Sequence, residues 1–151
     1  MKTLILVHSW HHSNTRKIAD AMARILGADV KTLQETNAEE LNQHDLVGFG
    51  AGIDSGKHYK EMLDFAASLP SVQGKKCFLF STCGVTSDAK TVKDHAALRN
   101  ILQPKGYRVT GEFSCLGFNT NVFLKYFGGM NKGRPNAEDI DKAQKFAASL
   151  V

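Results

Sequence analysis

Two kinds of apolar spacing alternate along the chain. Thr3 to Val7 (TLILV) is an unbroken run of leucine and β-branched residues, the pattern of a strand buried on both faces. After polar residues from His8 to Thr15, Ile18, Met22, Ile25 and Leu26 recur at helical spacing until Gly27. Val30 to Leu33 and Leu46 to Phe49 predict a second and a third strand. Met62, Leu63, Phe65, Ala66 and Leu69 then form one face of a helix between Lys57 and Leu69, closed by Pro70. Cys77 to Phe80 predicts a fourth strand. Ser87 and Asp88 cap a helix carrying Val92, Ala96, Ile101 and Leu102, which Pro104 and Gly106 end. Tyr107 to Phe118 reads as a fifth strand. Asn136 caps the last helix, with Glu138 and Asp139 in its first turn and Ile140, Ala143, Phe146, Ala147 and Leu150 facing inward.

This βα alternation, with no linker or repeat, predicts an α/β three-layer sandwich with helices on both faces of a parallel sheet joined by right-handed crossovers. In such sheets a ligand sits beyond the carboxyl ends of the strands, where strand order reverses. Attention therefore falls on the loops after strands one, three, four and five.

Composition narrows the classes. With 151 residues, 42% apolar and 23% charged, the chain has the size of one domain, 1–151, with its own core. The first apolar run is too short for a signal peptide or membrane span. Cys77, Cys83 and Cys115 are odd in number and form no CxxC pair, which suits a reduced, cytoplasmic setting. The net charge of +4 is scattered, and no basic run with interleaved aromatics or zinc spacing points to nucleic acid.

Three loops could carry chemistry. Ser9-Trp10-His11-His12-Ser13-Asn14-Thr15 leads directly into a helix, and hydroxyls with backbone N–H groups at a helix start can hold an anion, although these residues also cap helices routinely. Gly50 to His58 and Ser81-Thr82-Cys83-Gly84 are rich in small residues, which let backbone approach a flat ligand or simply make tight turns. The three loops fall at one edge of the predicted sheet, which favours a ligand.

These loops, with GAGIDSGKH, FSTCG, GEFSCLGF and the C-terminal NKGRPNAEDIDKAQKFA, resemble the short-chain flavodoxin family over essentially the whole chain. The resemblance implies a five-stranded flavodoxin-like parallel sheet in the order 2-1-3-4-5 and noncovalent FMN as electron carrier. By position, Ser9, Trp10, His11, His12, Ser13, Asn14 and Thr15 match the family's phosphate loop. Ala51, Gly52, Ile53 and Asp54, with Ser81, Thr82, Cys83 and Gly84, match the loops flanking the flavin ring. Three features depart from the family: Ser13 stands where relatives usually have Gly, Asp54 and Ser55 stand where they often carry aromatics, and this chain is basic where flavodoxins are commonly acidic.

Other chemistries fit less well. His8, His11 and His12 lack a local carboxylate or cysteine to complete a metal set, and Ala89 stands where a phosphate-binding cysteine loop beginning at Cys83 would need arginine. His8 and Gly50 occupy positions where a receiver domain needs acids, and neither GxxxxGK[ST] nor GxGxxG occurs. Phe118 to Met130, with Phe123, Tyr126 and Phe127, is too apolar for an ordinary loop and is expected to pack on the core or to cover the flavin or a partner. No catalytic acid or base is identifiable, so an FMN-binding electron carrier is favoured over an FMN-dependent NAD(P)H:quinone-type reductase or a binding module that has lost FMN. Its expected partner is a redox protein with an acidic face, with neither nucleic acid nor a membrane span involved.

Overall fold

The computed structural model describes residues 1–9, 14–117 and 133–151. In chain order the elements are β1 (Thr3–His8), α1 (Asn14–Leu26), β2 (Asp29–Thr32), α2 (Ala38–Asn42), β3 (Leu46–Asp54), β4 (Lys57–His58), α3 (Lys60–Ser68), β5 (Lys75–Cys83), α4 (Asp88–Asp94), α5 (Ala96–Leu102), β6 (Tyr107–Leu116) and α6 (Ala137–Ser149). The sheet runs β2-β1-β3-β5-β6, all parallel, with β4 paired antiparallel to the end of β3. This is the expected order of five strands, with one short strand added.

Side chains alternate across the sheet into two cores. Leu4, Leu6, Val47, Phe49 and Leu79 pack with Met62, Ala66, Leu98 and Leu102 of α3 and α5. Ile5, Val7, Phe78 and Phe80 pack with Ile18, Met22, Ala143 and Ala147 of α1 and α6. On this second face β3 presents Leu46 and then Gly48 and Gly50, the two glycines standing opposite Phe78 and Phe80 in the register. Both rings lie over the missing side chains: a Cβ on Gly48 would fall 2.3 Å from the Phe78 ring, and one on Gly50 2.1 Å from the Phe80 ring. Two glycines and two phenylalanines thus fill one layer at close packing.

Local signals set the element ends. Ser87 accepts a hydrogen bond from the Lys90 N–H, and Asn136 and Asp139 form a reciprocal capping box at the start of α6. Gly27 turns left-handed after α1, at φ +62.

Several boundaries differ from expectation. The fourth predicted strand is longer than Cys77 to Phe80, because Ser81 to Cys83, expected in a loop, pair with β6 as the last residues of β5. The segment 50–58, expected as a loop, is the end of β3 turning into β4 through Ser55 and Gly56, both at positive φ (+53 and +77). Two positive-φ residues between paired strands match the right-handed strand twist, so the hairpin closes tightly. The helix expected from Lys57 therefore starts at Lys60, because Lys57 and His58 are committed to pairing. The single helix expected after Ser87 is divided at His95, whose ring is tied to β5 and β6. Phe118 to Met130 lies outside the described residues.

Candidate functional site

The carboxyl ends of β1, β3 and β5 meet at the start of α1. Thr15 in the first turn of α1 shares a buried 2.8 Å hydrogen bond with the Thr82 hydroxyl at the end of β5. Asn14 packs against Gly117 just beyond β6, where a Cβ would come within 2.8 Å of the Asn14 amide nitrogen. Ala51 and Gly52 pair with Ser81 and Thr82 across the β3–β5 ladder. Of the predicted first loop, Ser9, Asn14 and Thr15 join this cluster, whereas Trp10, His11, His12 and Ser13 lie outside the described residues.

Two features suit an anion. α1 is 13 residues long with no acid in its first turn, so the partial positive charge of its amino end is not cancelled by its own sequence. The Ser9 hydroxyl oxygen is buried without a hydrogen-bond partner among the described residues. An oxygen in that state sits poorly unless a ligand completes its bonding.

The third-strand residues divide. Ala51 and Gly52 are buried, Ile53 is half-buried and Asp54 is exposed at the hairpin tip, with the Ser55 hydroxyl 3.4 Å from its carboxylate. Sequence reasoning missed Tyr59. Its ring occupies the space over Gly52, 2.7 Å from where a Cβ would stand, and meets the His8 ring edge-on at 6.1 Å. His8 Nε2 is 3.6 Å from a Glu61 oxygen. Burial, with Asp54 and Glu61 nearby, raises the Tyr59 hydroxyl above its ordinary range and keeps it a neutral phenol. The signal in the chain was an aromatic three residues beyond Gly56.

The fourth-strand residues turn their side chains inward. Ser81, Thr82 and Cys83 are all buried, so backbone is what they offer a ligand. Cys83 Sγ lies 3.0 Å from the Val85 carbonyl oxygen. Burial pushes the Cys77 and Cys115 thiols up to about 12, which leaves them unreactive.

Behind Ser81 lies a polar chain that no sequence signal announced. Ser81 Oγ is 2.7 Å from His95 Nε2, and His95 Nδ1 is 2.9 Å from Glu112 Oε1. Arg99 grips both Glu112 oxygens, at 3.1 Å through Nε and 2.6 Å through Nη2. A carboxylate so paired is an acceptor, so His95 carries its proton on Nδ1 and accepts from Ser81 through Nε2. His58 lies beside it, ring centroids 4.7 Å apart, with Nε2 at 3.1 Å from the Phe80 carbonyl oxygen and Nδ1 without a hydrogen-bond partner among the described residues. Burial first, and then the neighbouring His95, drive His58 down to about 3. Burial, Arg99 and Lys90 hold His95 at about 4, so both rings are neutral near pH 7.

Serine, histidine and carboxylate in this order form the arrangement of an acyl-transfer nucleophile. Here Ser81 and His95 are both 0% exposed, so no substrate carbonyl can reach the hydroxyl. Among the described residues no group of three histidine, cysteine or acidic side chains could hold a metal ion, and no helix is long and apolar enough to cross a membrane.

Comparison with known proteins adds to this geometry. A family model of the flavodoxin domain matches residues 5–149. An uncharacterized protein of Methanocaldococcus jannaschii is 42% identical over 151 residues, covering 100% of this chain and 99% of its own. Among solved structures, oxidised flavodoxin 2 from Bacillus cereus superposes with a TM-score of 0.73 at 20% identity, over 99% of this chain and 97% of that one. A flavodoxin from the domain Archaea gives 0.72 at 17% identity, over 99% and 96%.

Proposed function

Because the chain belongs to the flavodoxin family, we propose that it binds FMN at the carboxyl edge of its sheet and serves as an electron carrier. The observation that carries this reading is the convergence at the start of α1: an uncancelled helix N-terminus, the unpartnered Ser9 hydroxyl, and the Thr15–Thr82 bond that fastens α1 to the end of β5. FMN when bound would supply one- and two-electron chemistry, and the chain's part is to hold it and set its surroundings.

In this proposal Ser9, Trp10, His11, His12, Ser13, Asn14 and Thr15 hold the phosphate. The first turn of α1 faces it, and anion and helix dipole attract. Ala51, Gly52, Ile53 and Asp54 on one side and Ser81, Thr82, Cys83 and Gly84 on the other flank the ring. Gly52 and Gly84 keep those walls low, and Tyr59 covers Gly52 from outside and limits water access there. Among the described residues no side chain at this edge is placed as a catalytic acid or base, and in this proposal the carrier acts in the cytoplasm with a separate redox protein that presents an acidic face.

The test is a fluorescence titration of the purified protein with FMN and with riboflavin, followed by an assay with NADH or NADPH and a quinone. FMN should bind and quench while riboflavin binds weakly, since the two differ only in the phosphate. Turnover with the nicotinamide should stay far below the median enzyme rate of roughly 10 per second. Equal or absent binding of both flavins overturns the cofactor reading, and turnover at that rate makes the protein a reductase.

A further inference from the structure

The hairpin that ends β3 is short and weakly tied. Its strands share only the pairs Ile53 with His58 and Asp54 with Lys57, followed by a 3.1 Å bond from the Tyr59 N–H to the Gly52 carbonyl oxygen. A two-stranded hairpin of this length has little stability of its own in water, and Ser55 turns it at a positive φ that serine seldom takes. Of the two residues of β4, Lys57 is exposed and His58 is buried. The His58 ring is therefore the side chain that fastens β4 to the sheet.

That fastening depends on how many protons the ring carries. A carbonyl oxygen only accepts, so Nε2 bears the proton that His58 donates to Phe80, and Nδ1 is a bare lone pair. Nδ1 is buried with no hydrogen-bond partner among the described residues, and the His95 ring lies 4.7 Å away. A second proton on His58 would place a charge there with no acceptor. His95 differs, because its Nε2 faces the Ser81 hydroxyl oxygen, which can accept as well as donate. We propose that His58 is an acid-sensitive latch: neutral, it holds the hairpin 53–58 on β5, and protonated, it lets the hairpin swing out and with it one wall of the ligand edge.

The charges around His58 compensate an added proton only in part. Asp94 on α4 favours the cation but is already ion-paired with Lys90, and Glu112 on β6 favours it but is held by Arg99 of α5. His95, at the start of α5, opposes it. Asp54 and Lys57 of the hairpin, with Lys60 and Glu61 just beyond, are exposed, where water and salt screen them. Burial, the largest effect, holds His58 at about 3 in the closed hairpin, against an ordinary value of 6.5. Opening therefore takes up a proton between those values, so the closed form is complete above about pH 6.5 and loses ground about tenfold per pH unit below it.

The hairpin carries Ile53 and Asp54 and leads into Tyr59, whose ring covers Gly52. FMN held against these residues binds the closed form, so binding and closure support each other. This consequence rests on the flavin reading above, whereas the latch itself does not.

The Tyr59 amide, bonded across the hairpin, reports its opening. Its hydrogen exchange, corrected for the intrinsic rate, is read by NMR between pH 7 and pH 4.5 in ligand-free wild type, H58Q and S55N, beside the Leu6 and Leu79 amides of the sheet. In wild type, Tyr59 opening should rise about tenfold per pH unit between pH 5.5 and 4.5 while Leu6 and Leu79 stay better protected. H58Q keeps a donor for the Phe80 carbonyl and cannot take up the proton, so it should lose that slope. S55N makes an Asn-Gly turn and should open several-fold less at each pH with the wild-type slope. FMN at about 100 times its Kd should suppress wild-type opening about a hundredfold. A flat wild-type profile, an equal slope in H58Q, or Tyr59 exchanging in step with Leu6 and Leu79 overturns the latch, and the wild-type and S55N profiles decide it even if H58Q does not fold. FMN that binds without slowing Tyr59 exchange overturns the link to the ligand edge. FMN that does not bind overturns the flavin reading and leaves the latch to the ligand-free profiles.

Discussion

Gly50→Ala tests whether the Gly48/Gly50–Phe78/Phe80 layer sets the spacing of the site. A Cβ at position 50 would lie 2.1, 2.2 and 2.5 Å from three atoms of the Phe80 ring, each well inside ordinary contact. The ring has little room to retreat, because it is 0% exposed and packs on Phe78 with centroids 5.9 Å apart. Overpacking of this kind typically costs about 1 to 3 kcal/mol, and the immobile neighbour puts Gly50→Ala at about 3. Phe80→Leu alone leaves part of a ring's volume empty and should also destabilise. Combined, the smaller side chain makes room for the methyl, so the double variant should be more stable than the sum of the two losses by at least about 1 kcal/mol. Urea unfolding of all four proteins measures the cycle. Strictly additive losses, or a Gly50→Ala protein as stable as wild type, would show that the ring does not rest on the glycine.

Asp54→Tyr, at an exposed hairpin tip, should leave folding intact and tighten oxidised FMN by about 1 kcal/mol through stacking, and an unchanged affinity by fluorescence titration at low and high salt would place Asp54 away from the ring. Acid should destabilise the ligand-free protein well above the carboxylate range. Burial lowers His58 to about 3 and His95 to about 4, so between those values and the unfolded value of 6.5 only the unfolded chain gains protons. Stability is then complete above about pH 6.5 and falls by about 2 kcal/mol for each ring between there and pH 5, and equal urea midpoints at pH 5 and 7.5 would refute neutral burial of the pair. With a net charge of +4 and an acidic partner, electron-transfer rates should fall as salt screens charge over about 10 Å at 0.1 M, and stopped-flow rates flat or rising with salt would contradict that partner.

The parts legible in the sequence were those with their own periodicity. TLILV and Cys77–Phe80 read as buried strands because both faces are covered by helices, and Ser87 and Asn136 read as caps because short polar side chains satisfy helix-end N–H groups. The hairpin at Ser55–Gly56 was hidden because serine seldom takes a positive φ, so the turn lacked the usual Asn-Gly signature. Helix α2 was hidden because its five residues bury only Leu41, too few for a periodic face. Of the site, the three loops were visible as polar or small-residue breaks after apolar runs. The chain Ser81–His95–Glu112 was not, since its members lie 14 and 17 residues apart and meet only through the sheet register and the turn at His95. Tyr59 was missed because its partner, Gly52, is a neighbour only once the hairpin has folded.

FMN, in this reading, is held at the carboxyl edge of the sheet. An amide NMR titration of the labelled protein with FMN tests it most directly, because the two ends of the sheet offer separate surfaces. At the amino ends of β3 and β5, Met1, Asp45, Gln73, Gly74, Lys75 and Lys76 line a shallow depression of about 340 Å³. Saturable shifts are expected at Ser9, Asn14, Thr15, Gly52, Ile53, Asp54, Tyr59 and Gly84, with the amino-end residues unmoved. Shifts centred on Asp45 and residues 73–76, or none at the start of α1, would contradict it.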